Sequence, residues 1–389
     1  MIWKLFIYKL RIICYNEWYY SKSWEELQLP NYDYTYNDLK EKYKNFSVPN
    51  VCININGKKV ATLLADDNKK DTALNVSSVV VRLSLDRSSI AEIDVADIYS
   101  YSNSSITKVA TIGSKIEVYM GYGNDKTVTR VFCGYIAKID YELSGIFKAT
   151  ITALDVLNLM EQEYCPKYYI SKSYDDIVKE VLGKYSALIE ESSCDALGVT
   201  KEYVYREEKV SDLRFIRRLC SEVGKQFYVS NGTAYINSAF SGKSTINLDI
   251  HEVIQYFRIS NIYQNSKVKV VGFNPEDHNN SISEECVAKT KGCKTITNAP
   301  QTKVVTMSNM DTPTKAKQYA ESLAKNVLKD TQKCNIVTIG LPEITVGKTI
   351  TISNVDKLEF DKYKYNVTEV IHTMDINGFS TNINICGWS

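Results

Sequence analysis

Several short stretches carry residue types that could do chemistry, and spacing decides each of them. Gly242-Lys243-Ser244-Thr245 matches the end of a phosphate-binding loop. Such a loop needs a further glycine five residues before the second one, and a helix after it to present amides to the phosphate. Asn237 stands at that position, and "INLDIHEVIQYF" shows no capped helix. Gly121 and Gly123 open a dinucleotide fingerprint, but Lys126 takes the place of its third glycine. Gly378-Phe379-Ser380-Thr381-Asn382 approaches a nucleophile elbow with His372 nearby, yet Asn382 replaces the second glycine and no triad partner is visible. His278, Cys286 and Cys293 lack the paired spacing that sets two metal ligands on one turn. Asp66 to Asp71 lacks the glycine and glutamate of a calcium loop. The acidic pairs Asp66/Asp67 and Glu284/Glu285 read as solvated charge. No catalytic, cofactor-binding or metal-binding residue is assigned, and no cofactor is expected.

The stretch "VSDLRFIRRLCSEVGKQFYVSNGTAYI", Val210 to Ile236, sets three arginines beside a cysteine. At helical spacing Phe215, Ile216, Leu219, Cys220 and Val223 share an apolar face, and Arg214, Arg217 and Arg218 fall opposite, with Ser221 and Glu222. Cys220 is therefore expected to be an inert core thiol, and the arginines a wetted face whose functional use would be contact with a partner. Gly224 ends the helix, and Asn231-Gly232 predicts a type I′ hairpin.

Elements of two kinds surround this stretch. Val81, Leu83 and Leu85 alternate with Arg82, Ser84 and Asp86, the period of a half-buried strand. "GSKIEVYMGYGNDKTVTRVFCGYIAKIDY" reads as two strands about a turn at Gly123, Asn124 and Asp125, and "IFKATITALD" as another, so a barrel or sandwich is expected over about 48–158. "SKSYDDIVKEVLGKYS" predicts a helix capped by Ser173. "VIQYFRIS" and "SKVKVVGF" predict further strands, and the polar region 275–302 reads as a long loop. Thr312-Pro313 starts a helix with a stripe of Ala316, Ala320, Leu323, Ala324, Val327 and Leu328. Four strands follow: "CNIVTIGL", "GKTITIS", "KYKYNVTEVIH" and "GFSTNINICG". The divisions are an aromatic segment at 1–45, a strand domain at 46–160, a helix-hairpin α/β unit at 161–238, strands and a loop at 239–302, and a helix with strands at 303–389.

Composition bounds the partners. The 389 residues carry a formal net charge of +1, so no whole-chain field draws nucleic acid or an anionic membrane. Ten scattered cysteines read as mostly buried thiols from a reducing cytoplasm. The opening "MIWKLFIYKLRIICY" is interrupted by Lys4, Lys9 and Arg11 and is too short to span a bilayer, so no stable membrane insertion is expected. Trp3, Trp18, Tyr19, Tyr20 and Trp24 crowd the first segment. Aromatic residues with a polar tip favour interfaces, and these five are read as docking on a neighbouring protein or protomer; the alternative is that they cover their own first domain.

Three blocks, in order, resemble the late control protein D family, the baseplate hubs of contractile phage tails, and are similar to the hub region of valine–glycine-repeat spike proteins. The helix-hairpin stretch is one, through Ser211-Asp212, Phe215 to Leu219, Gly224 and Gly232. "IGSKIEVYMGYGNDKTVTRVFCGYIAKIDYELSGIFKATITALDVLNLM" is the second, with Gly113, Gly121-Tyr122, Phe132 to Ile136 and Asp155 at matching places. "PTKAKQYAESLAKNVLKD" with the last strands is the third, matching at His372 and Gly378. The resemblance spans roughly 75–389; residues 1–45 depart from it.

The resemblance implies a mainly β fold with an α+β insert, two similar β-barrel domains and the small helix-hairpin α/β unit. It also implies a homotrimer whose six barrels form a ring between a tail tube, or a tube-initiator protein, and a separate spike protein, with tape-measure and baseplate wedge proteins as further contacts. Such a hub binds and is not an enzyme; it is assembled in the bacterial cytoplasm and ends in the particle baseplate. A cell-wall carbohydrate binder using the N-terminal aromatics, and a peptidoglycan hydrolase using Ser380 and His372, are the alternatives.

Overall fold

Apolar residues at every second position give the chain its strands. The computed structural model describes residues 36–389, apart from 63–73, 97–105, 125–126, 145, 239–244, 274–280, 291–293, 295, 297–299, 308–311, 330, 356–363 and 389. The first part comprises α1 (Tyr36–Lys42), β1 (Pro49–Ile55), β2 (Lys58–Thr62), β3 (Val76–Ser84), β4 (Ile90–Ala96), α2 (Ile106–Val109), β5 (Lys115–Tyr122), β6 (Thr129–Ser144) and β7 (Ile146–Leu154). Next come α3 (Val156–Gln162), β8 (Lys167–Ser173), α4 (Tyr174–Gly183), β9 (Glu191–Cys194), β10 (Thr200–Arg206), α5 (Asp212–Glu222), β11 (Lys225–Ser230) and β12 (Thr233–Ser238). The last part comprises β13 (Thr245–Asp249), β14 (Ile254–Asn261), β15 (Asn265–Phe273), β16 (Ser281–Lys289), β17 (Gln301–Met307), α6 (Pro313–Lys329), β18 (Gln332–Ile339), β19 (Thr349–Ser353), β20 (Lys364–Asp375) and β21 (Gly378–Trp388).

The fold is mostly β with a few helices, as the sequence predicts. Thirteen strands form one sheet in the order β14-β18-β21-β20-β3-β4-β7-β6-β5-β1-β2, with β13 beside β19 and β19 on β20. The two strand-rich regions are thus joined in hydrogen bonding through β3 and β20, where Val79 faces Met374, Val81 faces His372 and Ser84 faces Glu369. They also share one apolar core. Val81, Ile93, Ile116 and Ile151 of the first region pack in the same cluster as Ile336, Ile350, Val370 and Ile383 of the second, each removed from water at roughly 1.5–3 kcal/mol per side chain.

The α/β unit keeps a core of its own, built on Ile177, Val181, Phe215, Ile216, Leu219 and Phe227. The Ser173 cap is as the sequence predicts, its hydroxyl accepting from the Asp176 amide at 3.1 Å, and Ser211 caps α5 in the same way, accepting from the Arg214 amide at 3.3 Å. Asn231 and Gly232 both take positive φ, 52° and 79°, which a type I′ turn requires. Under this core Arg206, 1% exposed, pairs with the fully buried Asp212. Lys184 and Tyr185 also donate to Asp212, at 3.1 and 2.6 Å, and Arg206 Nε donates to the Val210 carbonyl at 3.0 Å. A buried charge is tolerable when its hydrogen bonds are satisfied in this way.

One expectation is corrected. The region 275–302, read as loop, contains β16 and the start of β17, which flank β15 in a three-stranded sheet. Helix α6 covers this sheet, burying Ala316, Ala320 and Ala324 against Val268, Val270 and Ala288. The strand signal was weak because only one face is apolar, and its partner stripe is alanine.

Hairpin β11–β12 seats Tyr228 against Gly347, whose φ is +78° and whose Cβ, if present, would lie 2.3 Å from the tyrosine Oη. Gly57, at φ +75°, has open space around it. Gly57→Ala should cost about 1–2 kcal/mol, the left-handed strain alone, and Gly347→Ala at least twice that. Urea denaturation of both variants checks this; equal losses would mean that Tyr228 is not seated at Gly347.

Candidate partner interface and its scaffold

His372 is fully buried. Its Nε2 faces the Ile344 carbonyl at 3.1 Å, so Nε2 carries the proton, and Nδ1 accepts from the Thr381 hydroxyl at 3.0 Å. Thr381 in turn accepts from the Leu341 amide at 2.9 Å. Burial pulls the imidazole down to about 4, so it is neutral and structural. His372 and Thr381 are cross-strand partners on one face of the sheet; Ser380, next along β21, points to the other. The histidine therefore cannot activate Ser380.

A grouping that sequence spacing could not show lies between the sheet and the α/β unit, where ligand atoms of Glu117, Cys133 and Glu190 come within 4.8 Å of one another. Arg130 donates to Glu117 at 3.0 Å and to Glu190 at 2.8 Å, while Lys115 reaches Glu190 at 2.5 Å. Burial pushes the Cys133 thiol up to about 11. With both carboxylates taken by side-chain cations and the sulfur protonated, these residues do not fit a metal ion; they lock two parts of the chain together. Of the residues weighed as metal ligands, Cys286 packs beneath α6, and His278 and Cys293 lie outside the described residues. So do Asp66 to Asp71.

The hairpin tip completes that lock. Arg130 donates to the Asn231 carbonyl at 3.1 Å, and the Asn231 amide returns a bond to the Arg130 carbonyl at 2.7 Å. Ser230 bonds Thr345 across 2.7 Å, and Tyr228 stacks on Tyr235 at 5.0 Å. The recognisable hairpin is thus a strut reaching both strand-rich regions, β6 on one side and the 340s on the other.

The three arginines proposed as partner contacts all bond within the chain. Arg214 reaches Glu161 at 2.9 Å. Arg217 is half-buried and donates to the Asp86 carbonyl at 2.9 Å, clamping α5 onto the β3–β4 turn. Arg218 donates to the Tyr205 carbonyl at 2.7 Å and lies 5.3 Å over the Phe215 ring. Cys220 is buried as expected, its thiol raised to about 12 by desolvation. Trp3, Trp18, Tyr19, Tyr20 and Trp24 lie outside the described residues. The end of their segment packs on this chain: Leu39 and Tyr43 are buried in the main core, Lys42 meets buried Glu343 at 2.8 Å, and Tyr43 donates to the same carboxylate.

Asp155 accepts from the Leu157 amide at 3.0 Å, the Ser89 amide at 2.9 Å and the Ser88 hydroxyl at 2.7 Å. It ties the start of α3 to the β3–β4 turn, and burial raises its carboxyl to about 6. Among the described residues no helix is long and apolar enough to cross a membrane.

Residues 88–378 match the family model described as phage tail baseplate hub (GPD). No curated protein matches the sequence. The fold is similar to that of the 43 kDa tail protein of prophage MuSo2 from Shewanella oneidensis, with TM-score 0.64, 10% identity and coverage of 87% of this chain and 98% of that one. A tail protein from Neisseria meningitidis gives TM-score 0.64, 12% identity and coverage of 87% and 97%. The E. coli c3393 protein, a component of the type VI secretion system, gives TM-score 0.56, 11% identity and coverage of 87% and 77%.

His372 and Asp155 oppose each other in acid. His372, lowered from 6.5 to about 4, withholds a proton that the unfolded chain accepts, so its contribution is complete above pH 6.5 and is lost as pH falls to 4, about 3 kcal/mol in all. Asp155, raised from 3.8 to about 6, does the reverse: it adds about 3 kcal/mol as pH falls from 6 to 3.8. Asp155→Asn should leave His372 unopposed, so its stability should drop by about 3 kcal/mol more than wild type between pH 6.5 and 4. Urea unfolding at the two pH values measures it, and parallel losses in the two proteins would contradict the Asp155 shift.

Proposed function

Because the chain belongs to the phage tail baseplate hub (GPD) family, we propose that it is a structural hub of a contractile tail, three copies forming a ring that joins the tail tube to a separate spike protein. The observation that carries this reading is the cross-braced body. Two strand-rich regions share one sheet and one core, and a hairpin strut and a four-residue ion-pair lock hold the α/β unit to them. A part that transmits load between two symmetric assemblies needs fixed relative positions of its surfaces and complementary faces. It does not need a perturbed titrating group exposed in a cleft, and His372, Asp155 and Cys220 are shifted by burial inside the scaffold.

On this reading the hub binds and does not catalyse. The tube or tube-initiator protein and the spike are its main partners, with tape-measure and wedge proteins at its rim; it is assembled in the cytoplasm of the host bacterium and carried in the virion tail or an equivalent particle. Support comes from the family and from structural similarity to tail proteins and to a type VI secretion component. The N-terminal aromatics, Trp3 to Trp24, serve as a docking arm for a neighbour.

Two experiments test the proposal. Co-expression with the cognate spike, followed by light scattering, should give three copies of this chain per complex; a strictly monomeric complex rejects the ring. Deleting residues 2–33, which keeps Leu39, Lys42 and Tyr43, should abolish particle assembly without changing the melting temperature. Normal particles from that variant reject the docking arm.

A further inference from the structure

Strand β14 ends the large sheet on one side: among the described residues β18 is its only strand neighbour. Its ladder shows which backbone groups are left over. Ile262, one residue past the strand, donates its amide to the Thr331 carbonyl at 2.6 Å, and the pairs Ser260–Lys333 and Arg258–Asn335 lie in the same phase. In an antiparallel ladder alternate residues turn N–H and C=O towards the partner, and the residues between turn theirs away. Ile259 and Asn261 therefore present amide and carbonyl to the open edge, at the spacing an added strand uses.

The two faces of β14 narrow the guest. Ile254, Phe257 and Ile259 lie on the inner side, only partly buried at the border of the main core. Tyr256, 49% exposed, and the exposed Arg258 lie on the outer side. Beside them opens a cleft of about 430 Å³, lined by Arg258, Ser260, Lys329, Lys333 and Asn335 and, further across the sheet, by Glu369. Its acids are already engaged: Asp86 meets Lys329 at 3.6 Å, Glu369 meets Arg87 at 3.7 Å, and the Asn384 amide donates to Glu369 at 2.8 Å. Asn335, opposite Arg258, directs its own amide away, to the side-chain carbonyls of Asn382 and Asn384. The Arg258 guanidinium makes no ion pair or hydrogen bond with any described residue. A cation without a counter-ion thus stands where the cleft meets the open edge.

We propose that β14 takes an extended segment of a partner protein as an added strand, one whose outward side chains are acidic and whose inward side chains are apolar. Main-chain bonds to Ile259 and Asn261 hold the segment, and its inward residues extend the core over Phe257 and Ile259. A carboxylate opposite Arg258 supplies the missing counter-ion; a cationic guest would instead face Arg258, Lys329 and Lys333 together, and like charges across strands repel. Main-chain pairing with a side-chain pocket beside it is the division of labour by which sheet edges bind peptides. An arginine that only guards an edge would not select the sign of a guest. The inference goes beyond the hub reading and does not depend on the number of copies in the ring.

The full-length protein is titrated with two fluorescein-labelled peptides as long as the eight residues of β14, one alternating valine with glutamate and one alternating valine with lysine. The glutamate peptide should bind and slow amide exchange at Ile259 and Asn261, read by mass spectrometry with single-residue fragmentation, and the lysine peptide should bind roughly tenfold more weakly. Arg258→Glu, an exposed position, should reverse that preference at an unchanged melting temperature. Asn261→Pro removes an amide that faces the open edge and none that faces β18, so it should weaken the glutamate peptide without unfolding the strand. No binding of the glutamate peptide, an unreversed preference in Arg258→Glu, or binding without slowed exchange at the two amides overturns the proposal. So does slow exchange at both amides before any peptide is added: if it is lost on dilution, a second copy fills the edge, and if it is independent of concentration, the chain covers its own edge.

Discussion

The β3–β20 pairing is the constraint on which the rest depends. It brings residues 79–84 against residues 369–374 and so turns two strand-rich regions into one sheet with one core. Each of these strands already has a neighbour on its other edge, β4 for β3 and β21 for β20. Their mutual pairing therefore leaves neither with an open edge, where unpaired amides would template another chain. His372 sits in this seam, and its two hydrogen bonds hold Thr381 and the Ile344 carbonyl in place around it. A histidine here is a spacer with two polar ends, and its burial explains why it is neutral.

Around that seam, polar groups set relative positions more than they add stability. The Arg130, Glu117, Glu190 and Lys115 cluster is partly wet, and ion pairs of this kind contribute about 1 kcal/mol or less each. Its geometry is nonetheless specific, because Arg130 and Asn231 exchange bonds with each other's backbone. The Arg206–Asp212 pair is the buried counterpart, with Lys184 and Tyr185 filling the remaining acceptor sites. Such directional bonds fix the angles between parts of the chain, whereas apolar packing alone tolerates sliding.

Local signals were legible in the sequence and non-local ones were not. The Ser173 cap, the Thr312-Pro313 start and the Asn231-Gly232 turn each depend on three or four neighbouring residues, and each was readable. Cys220 was placed correctly because a helical wheel needs only spacing. The same wheel put Arg217 on a wetted face, yet its guanidinium ends on the Leu85 and Asp86 carbonyls; a wheel shows the face and not what approaches it. β16 was hidden because its outer face is charged and its inner face meets alanines. The joining of the two strand-rich regions through β3 and β20 could not be read from alternation, which specifies a strand's buried face and leaves its edge partner open.

The same pairing sets an order of folding. β3 leaves the ribosome long before β20 exists, so for most of translation its edge has no mate and the core of the first region is open on that side. Closing so distant a contact is entropically late, and a half-made hub exposes strand edge and apolar surface together. Until the last strands arrive, the outer face of β3 carries Ser78, Arg82 and Ser84, of which the charged Arg82 is the kind of residue that disfavours pairing of an open edge with another chain.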